Sequence, residues 1–480
     1  MNNNTPLRIS PEEMKELADM VTAEIIDHQA NQKYKPLSKP SFKLEEVLNK
    51  NPFKEEGKSF EGLLKLITRE IYKETSLPSN PRFLGYIPGP SNFISNLADY
   101  IISSFNSFSG SQLVGKGPAK VERQTINWLL ESIGLPKSGG GLFLSGGSMA
   151  NMSAMETARR NFHSDNWRKF KIYGATQTHA SVKKGLRVLG FEPYQYEPID
   201  HDENFAIDLI KLEKQIKKDL NDGFIPFVIV GNAGTTNTGA VDNIKMLRKI
   251  ANDYKMWLHI DGAYGAAIVL TEEGKHLLNG IEEVDSITLD PHKWWFQPYE
   301  AGCLLVRNKE HLLNAFHIEA EYLKETYDDS EQLNYYNQGI QLTRNFKALK
   351  LWLSLQFFGV SEFRRAIQLG MDLARRVEEN LIDQDGWTIV TPARLAIINF
   401  RPKLQDSDSQ DEDKLTRAMI NKFLEDGQYI ITSTELLGRP VIRLCIINPE
   451  LTRKEIDQLC LYIKNVRDEL VSNKLCLNLK

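Results

Sequence analysis

From residue 76 to about residue 310, helical stretches alternate with short apolar runs: "GLFLS", "FKIYGA", "PFVIVGNAG", "MWLHIDGA", "DSITLD" and "CLLVR". Near-continuous apolar strands separated by helices predict a largely parallel sheet covered on both faces. Ligands of such sheets bind beyond the carboxyl ends of the strands, so chemistry is expected there. Before this region, "SPEE" at Ser10–Glu13 opens a helix over residues 9–30, with Met14, Leu17, Met20, Val21 and Ile25 at helical spacing. Residues 32–58 are polar and broken by prolines, so 1–75 reads as an N-terminal helical arm rather than a domain with its own core. Residues 76–360 form the large domain, ending in the amphipathic helix "NFKALKLWLSLQFFG". Residues 361–480 mix helix with short strands such as "LAIINF" and "VIRLCII", a small α+β domain. The acidic "DSDSQDEDK" within it is expected to be a solvated loop, and the chain has no internal repeat.

A chain of 480 residues is long enough for two to three domains. Its 59 basic and 63 acidic residues give a formal net charge of -4, with no basic excess for nucleic acid. The start "MNNNTPLRIS" has no charged and then apolar pattern, so no secretory signal is expected. No apolar run approaches the ~20 residues of a membrane span. The four cysteines, at 303, 445, 460 and 476, show no CxxC spacing and read as thiols of a reducing compartment. The cytoplasm is the expected location.

Several strand ends carry residues with chemical potential. In "LFLSGGSMANMSAMETARR" (142–160) a strand runs through a glycine pair into a helix. Backbone amides there can hold an anion, and the spacing suits one phosphate on Gly147 and Ser148 better than a dinucleotide or a P-loop. The plainer reading, an ordinary strand-to-helix turn, weighs about equally on that stretch alone. His179 precedes a helix starting near Ser181, and "GNAGTTNTGAVDNI" (231–244) is a hydroxyl-rich turn after a strand. Each alone is more simply a structural loop. Asp261 ends the apolar strand of "MWLHIDGAYGAA", with Gly262 and Ala263 leaving room for a flat group. A buried carboxylate is costly unless paired, so Asp261 is either capped structurally or faces a cationic ring. Lys293, in "DPHKWW", follows Asp261 by 32 residues, so both can stand at ends of neighbouring parallel strands. An amine held out of water has a lowered pKa and is a usable nucleophile. A phosphate cradle, a buried carboxylate and a desolvated lysine are what pyridoxal 5'-phosphate requires.

These segments together resemble the group II pyridoxal-phosphate-dependent decarboxylases, which include aromatic L-amino acid, tryptophan and glutamate decarboxylases. The likeness runs in order from "NPRFLGYIPGP" (80–90) through "SGGSMAN", "THASVKKGL", "AGTTNTGAVDNI", "WLHIDGAYGA", "DPHKWW" and "EYLK" to "RLCIINPE" (443–450). It is most similar to the bacterial tryptophan and aromatic amino acid decarboxylases. The resemblance implies a fold-type I, aspartate aminotransferase-like α/β enzyme, working as a homodimer with active sites between protomers. It implies that Lys293 carries the cofactor, that Asp261 keeps the pyridine nitrogen protonated, and that His179 and Ala263 pack on the two ring faces. Gly147, Ser148 and His292 would hold the phosphate, and Thr236 would support Asp261 or the ring oxygen. Tyr322 matches the tyrosine of a mobile loop that closes over the partner's site and returns a proton to Cα, with His179 as a relay. Related aldehyde synthases have phenylalanine there, so Tyr322 favours simple decarboxylation. Asp290 stands where animal aromatic decarboxylases have asparagine near the phosphate. Thr343 replaces a glycine that contacts phosphate from the neighbouring subunit.

The expected substrate is an aromatic L-amino acid of the tryptophan, phenylalanine, tyrosine or DOPA class. Phe83, Tyr86, Ile87, Pro88 and Phe108 offer an apolar, aromatic lining, although several would serve equally as core. Arg443 could meet a substrate carboxylate or pair structurally. Tyr336 stands where a related tryptophan decarboxylase has tryptophan, so preference among indole, phenol and phenyl rings is open. The alternatives are an acidic amino acid decarboxylase, an aldehyde-forming oxidase of the same family, and a silent scaffold. The first would need an additional cation that "RFLGYIPGP" does not supply, and the last is disfavoured by Lys293, Asp261, His179 and Tyr322 all being present. No metal is implied, and a dehydrogenase would lack its glycine fingerprint.

Overall fold

The computed structural model describes residues 7–34, 37, 43–318, 334–405 and 408–473. Its centre is a seven-stranded sheet made of β1 (Gly140–Leu144), β2 (Phe170–Ala175), β3 (Tyr196–Ile199), β4 (Ile225–Asn232), β5 (Trp257–Asp261), β6 (Ser286–Leu289) and β7 (Gly302–Val306). The spatial order is β1-β7-β6-β5-β4-β2-β3. β7 runs antiparallel to both neighbours, and the remaining pairings are parallel. Each of the six apolar runs noted above lies in a strand of this sheet. β3 was not expected, because "YEPI" is short, holds a proline and is only partly buried at the sheet edge. The two faces bury separate clusters: Tyr173, Ile229, Leu258 and Ile287 on one, Ile172, Val228, Val230 and Leu304 on the other. That double burial is why these strands read as continuous apolar runs.

The second sheet holds β8 (Trp387–Arg394), β9 (Ile397–Pro402), β10 (Thr432–Leu436) and β11 (Arg439–Cys445), antiparallel in the order β10-β11-β9-β8. It packs against helices Val360–Ile382, Ser409–Asp426 and Arg453–Ser472 through Ile398, Phe400, Phe423 and Ile463. The stretch "DSDSQDEDK" corrects the loop expectation. Asp408 caps the helix Ser409–Asp426 by accepting from Gln410 N and Asp411 N, and Asp411 and Glu412 then sit in its first turn. Acidic residues at a helix start interact favourably with the unpaired amides.

The segment around Phe83 lies early in the chain yet joins the second sheet. Leu84 N donates to Ile430 O at 2.9 Å, and Cys445 N donates to Leu84 O at 2.9 Å. Phe83 is buried with Leu37 and Ile430 as core. At the start of the described chain, Ser10 Oγ accepts from Glu13 N and opens helix Pro11–Asn31, as expected. This helix buries no residue completely, and Met14, Leu17, Val21 and Ile25 face a groove shared with Phe60, Phe93, Leu97 and Tyr100.

Candidate active site

At residues 290–297 the chain makes a compact turn after β6, with Lys293 N donating to Asp290 O and His292 N to Ala301 O. Trp294 stacks on Tyr264 at 5.2 Å, and Trp295 meets Trp128 edge-on at 5.8 Å. Both tryptophans are fully buried. Their burial fixes the turn and leaves the adjacent Lys293 side chain directed into a cavity of about 400 Å³. Asn232, Asp261 and Thr288 stand side by side at the ends of β4, β5 and β6, as the parallel register requires.

The cavity is lined by Gly147, Ser148, His179, Thr236, Asp261, Ala263, His292 and Lys293, so eight sequence-predicted residues meet there. The helix Gly147–Asn161 points its N-terminus at this space, with no side chain capping it. Its first amides therefore remain available to an anion. A Cβ added to Gly147 would lie 2.8 Å from Asp290 Oδ2 and 3.2 Å from Ala263 Cβ, and one added to Gly146 would meet His292 Cε1 at 3.0 Å. Only glycine allows this close approach.

His292 Nδ1 accepts from Ala301 N at 3.1 Å, so a neutral ring carries its proton on Nε2. Burial holds its pKa below the ordinary histidine value despite Asp290 nearby. Lys293 departs from expectation. Burial does act to lower its pKa, but the carboxylates of Asp290 and Asp261 outweigh that effect, and the net direction is upward. Its Nζ is 3.1 Å from Asp290 Oδ2, which also lies 3.5 Å from His292 Nε2. Asp290 is buried, and its Oδ1 has no hydrogen-bond partner. The ammonium form of the amine is thus favoured by a carboxylate that sequence reasoning had placed beside the phosphate.

Asp261 receives Asn151 Nδ2 at 2.9 Å on Oδ2 and Ala263 N at 3.2 Å on Oδ1. Asn151, not Thr236, is its side-chain support. Asn151 escaped the sequence reading, as did Ser181, whose N–H caps onto His179 Nδ1 at the start of helix Ala180–Val188. A polar residue on an otherwise small, buried helix face ("SMANMSAM") was the available signal.

The expected substrate residues do not line the cavity. Arg443 is buried and spent on backbone: Nη1 donates to Tyr86 O at 2.7 Å, while Nε and Nη2 donate to Thr236 O. It clamps the loop after Phe83 onto the cavity wall, which is the structural pairing. Tyr86 itself is 68% exposed, and Pro88 is buried beside the turn that carries His292. Phe108, Tyr336 and Thr343 gather elsewhere. Tyr336 N donates to Gly110 O and Ser109 N to Arg344 O, which draws the three segments together. Tyr336 is buried there, Phe108 half-buried and Thr343 exposed. Arg344 anchors this group to β1 through Glu122 Oε1 at 2.6 Å and Phe143 O at 2.8 Å. Tyr322 lies outside the described residues.

Comparison with known proteins places the chain among relatives along nearly its whole length. Residues 43–403 match the family model described as the pyridoxal-dependent decarboxylase conserved domain. An aromatic-L-amino-acid decarboxylase of Bacillus atrophaeus is 40% identical over 477 residues, covering 98% of this chain and 99% of that one. A 4-hydroxyphenylacetaldehyde synthase of Rhodiola rosea is 28% identical over 450 residues, 91% of each chain. Among solved structures, Oryza sativa TDC with PLP and tryptamine superposes with a TM-score of 0.92 at 24% identity, covering 97% of this chain and 99% of that one.

Proposed function

Because the chain belongs to the pyridoxal-dependent decarboxylase family, and is a pyridoxal phosphate enzyme that removes the carboxylate of an amino acid, we propose that its substrate is an aromatic L-amino acid, converted to the corresponding amine. The observation that carries the substrate class is the near-complete 40% match to an aromatic-L-amino-acid decarboxylase.

The residues present fit the cofactor. An uncapped helix start, a glycine pair that a Cβ would obstruct, an imidazole and a lysine line one cavity with a supported carboxylate. In this reading the amides of Gly147 and Ser148, with His292 Nε2–H, hold the phosphate. The Lys293 amine would hold the cofactor. Asp261 keeps a proton on the ring nitrogen, and His179 and Ala263 flank the ring. Thr236 adds its hydroxyl beside the ring oxygen. When bound, pyridoxal phosphate supplies the sink for the electron pair released as the carboxylate leaves. The Tyr322 phenol returns a proton to the substrate Cα, directly or through His179.

The active unit is a homodimer with shared sites. Helix Phe93–Phe105 ends with Tyr100 61%, Ile101 42% and Phe105 81% exposed, and Leu113 and Val114 continue that apolar surface at 58% and 68%. Patches of this kind mark protein interfaces. The N-terminal arm adds its apolar groove, and Thr343, Phe108 and Tyr336 would complete the partner's cavity. Three free, buried cysteines among the described residues accord with the cytoplasm.

The experiment is a mass-spectrometric assay of the purified protein with pyridoxal phosphate and all twenty L-amino acids. Tryptamine, tyramine or phenethylamine is expected. γ-Aminobutyrate would overturn the substrate class, and aldehyde with peroxide in place of amine would overturn the reaction outcome.

A further inference from the structure

Asn151 is buried one turn into the helix Gly147–Asn161, and its amide orientation follows from its neighbours. A carboxylate only accepts, so the atom 2.9 Å from Asp261 Oδ2 must be Nδ2. Its second hydrogen goes to Ser181 Oγ at 3.0 Å. Oδ1 then accepts from Thr288 Oγ1 at 2.7 Å and from His259 Nε2 at 3.0 Å. Burial pushes the His259 pKa down to about 4, so near neutrality the ring has one proton, on Nε2. His259 Nδ1 accepts from Ser286 Oγ at 2.8 Å, and that oxygen receives Trp257 Nε1–H at 2.8 Å. Every donor and acceptor position of the Asn151 amide is therefore used in one sense only.

The same directionality reaches the other side of the cavity. Ser181 N–H donates to His179 Nδ1 from 3.2 Å, which makes that nitrogen an acceptor. Ser181 Oγ, 2.8 Å away and already accepting from Asn151, therefore turns its own proton to it. An Nδ1 faced by two donors has no room for a proton of its own. We propose that Asn151 and Ser181 are positioning residues: one amide orients the Asp261 carboxylate and, through the Ser181 hydroxyl, fixes the proton of the neutral His179 ring on Nε2. The inference rests on the proposed roles of Asp261 and His179 as partners of the cofactor ring. Its content is that the two are set by a single side chain, so a lesion at Asn151 disturbs both while a lesion at Ser181 disturbs His179 alone.

The test is nitrogen NMR of protein labelled with 15N-histidine, both loaded with pyridoxal phosphate and stripped of it, with His179 assigned by the signals lost in His179→Gln. In the unaltered protein His179 shows an unprotonated Nδ1 and a protonated Nε2. Ser181→Ala moves both shifts toward the average of the two tautomers and leaves His259 in place. Ser181→Thr restores the starting pattern, and Asn151→Ala moves both histidines. A protonated Nδ1 at His179, or unchanged His179 shifts in Ser181→Ala, would overturn the proposal. Loss of the hydrogen bond to the charged Asp261 also weakens cofactor binding in Asn151→Ala by about tenfold or more. Unaltered affinity would overturn that branch. The stripped protein reports the tautomer without any reaction, so a failed relay with retained decarboxylation leaves the functional reading standing. Failure of the unaltered protein to bind the cofactor or release amine would instead overturn the reading beneath it.

Discussion

The cavity at the strand ends and the surface carrying Phe105, Phe108 and Thr343 differ in how completely one chain builds them. Around Lys293 nearly every polar group has a partner, the flanking tryptophans are buried, and the glycines are packed to contact. Across the second region apolar side chains stand in the open, and residues expected at the substrate lie away from the cavity. The contrast teaches a division of labour. On the proposed reading, one chain holds the cofactor and a second copy would supply the wall that recognises the side chain.

Each half of that comparison can be broken separately. Lys293→Ala removes the proposed attachment point from the complete half, and amine formation should fall by at least about 10³-fold. Mass spectrometry after borohydride treatment should also find no cofactor joined to the chain. Substantial remaining turnover would displace Lys293 from its assignment. Phe105→Asp attacks the open half, placing a charge where the single chain already meets water. Sedimentation should show monomers, with amine output reduced by about tenfold or more as the shared wall is lost. A dimer of full activity would mean that the apolar surface serves something else.

Smaller effects sharpen the picture. Tyr322→Phe should shift product from amine toward aldehyde, and unaltered amine output would remove Tyr322 from the proton-donor role. Asp290→Asn removes the leading influence that raises the Lys293 pKa. Cofactor capture by the stripped enzyme needs the free amine, so capture accelerates with rising pH. In the variant that rise should move to lower pH. An unmoved profile would show that Asp290 does not control the amine.

The smallest effect concerns stability. His259, lowered from 6.5 to about 4, stabilises the fold above pH 6.5, and that contribution is lost as pH falls toward 4. Asp242 is raised from 3.8 to about 6 by burial, so its contribution is present below pH 3.8 and lost as pH rises through 6. The two oppose each other over much the same window, each by about 3 kcal/mol at most. His259→Gln should uncover Asp242, giving a protein whose stability to urea increases from pH 6 to pH 4. A decrease over that range would contradict the assignment.

The fold was legible where burial on both faces leaves a continuous apolar run, and illegible where it does not. β3 sits at an edge with Pro198 and partial exposure, and the acidic stretch at 408–412 concealed a helix cap behind a solvent-like composition. Lys293, Asp261, His179 and the Gly147–Ser148 turn could be read because each stands at a strand or helix end, where ligands meet such sheets. Asn151 could not, since a polar residue inside a helix ordinarily faces water, and Ser181 reads as an ordinary first-turn residue of the helix Ala180–Val188. The upward shift at Lys293 needed the distance to Asp290, which no spacing supplies. For Phe108, Tyr336 and Thr343, periodicity does not tell that they lie away from the cavity.

The most direct test of the shared site is complementation. Lys293→Ala and Tyr322→Phe chains would be produced together and the mixed dimers assayed for amine. If the lysine of one chain works with the tyrosine of the other, each mixed dimer holds one intact site of its two, and amine output per dimer should recover to about half of the unaltered level. Output no higher than that of Tyr322→Phe alone would mean that both residues serve the same chain's site, and the account of a divided active site would be wrong.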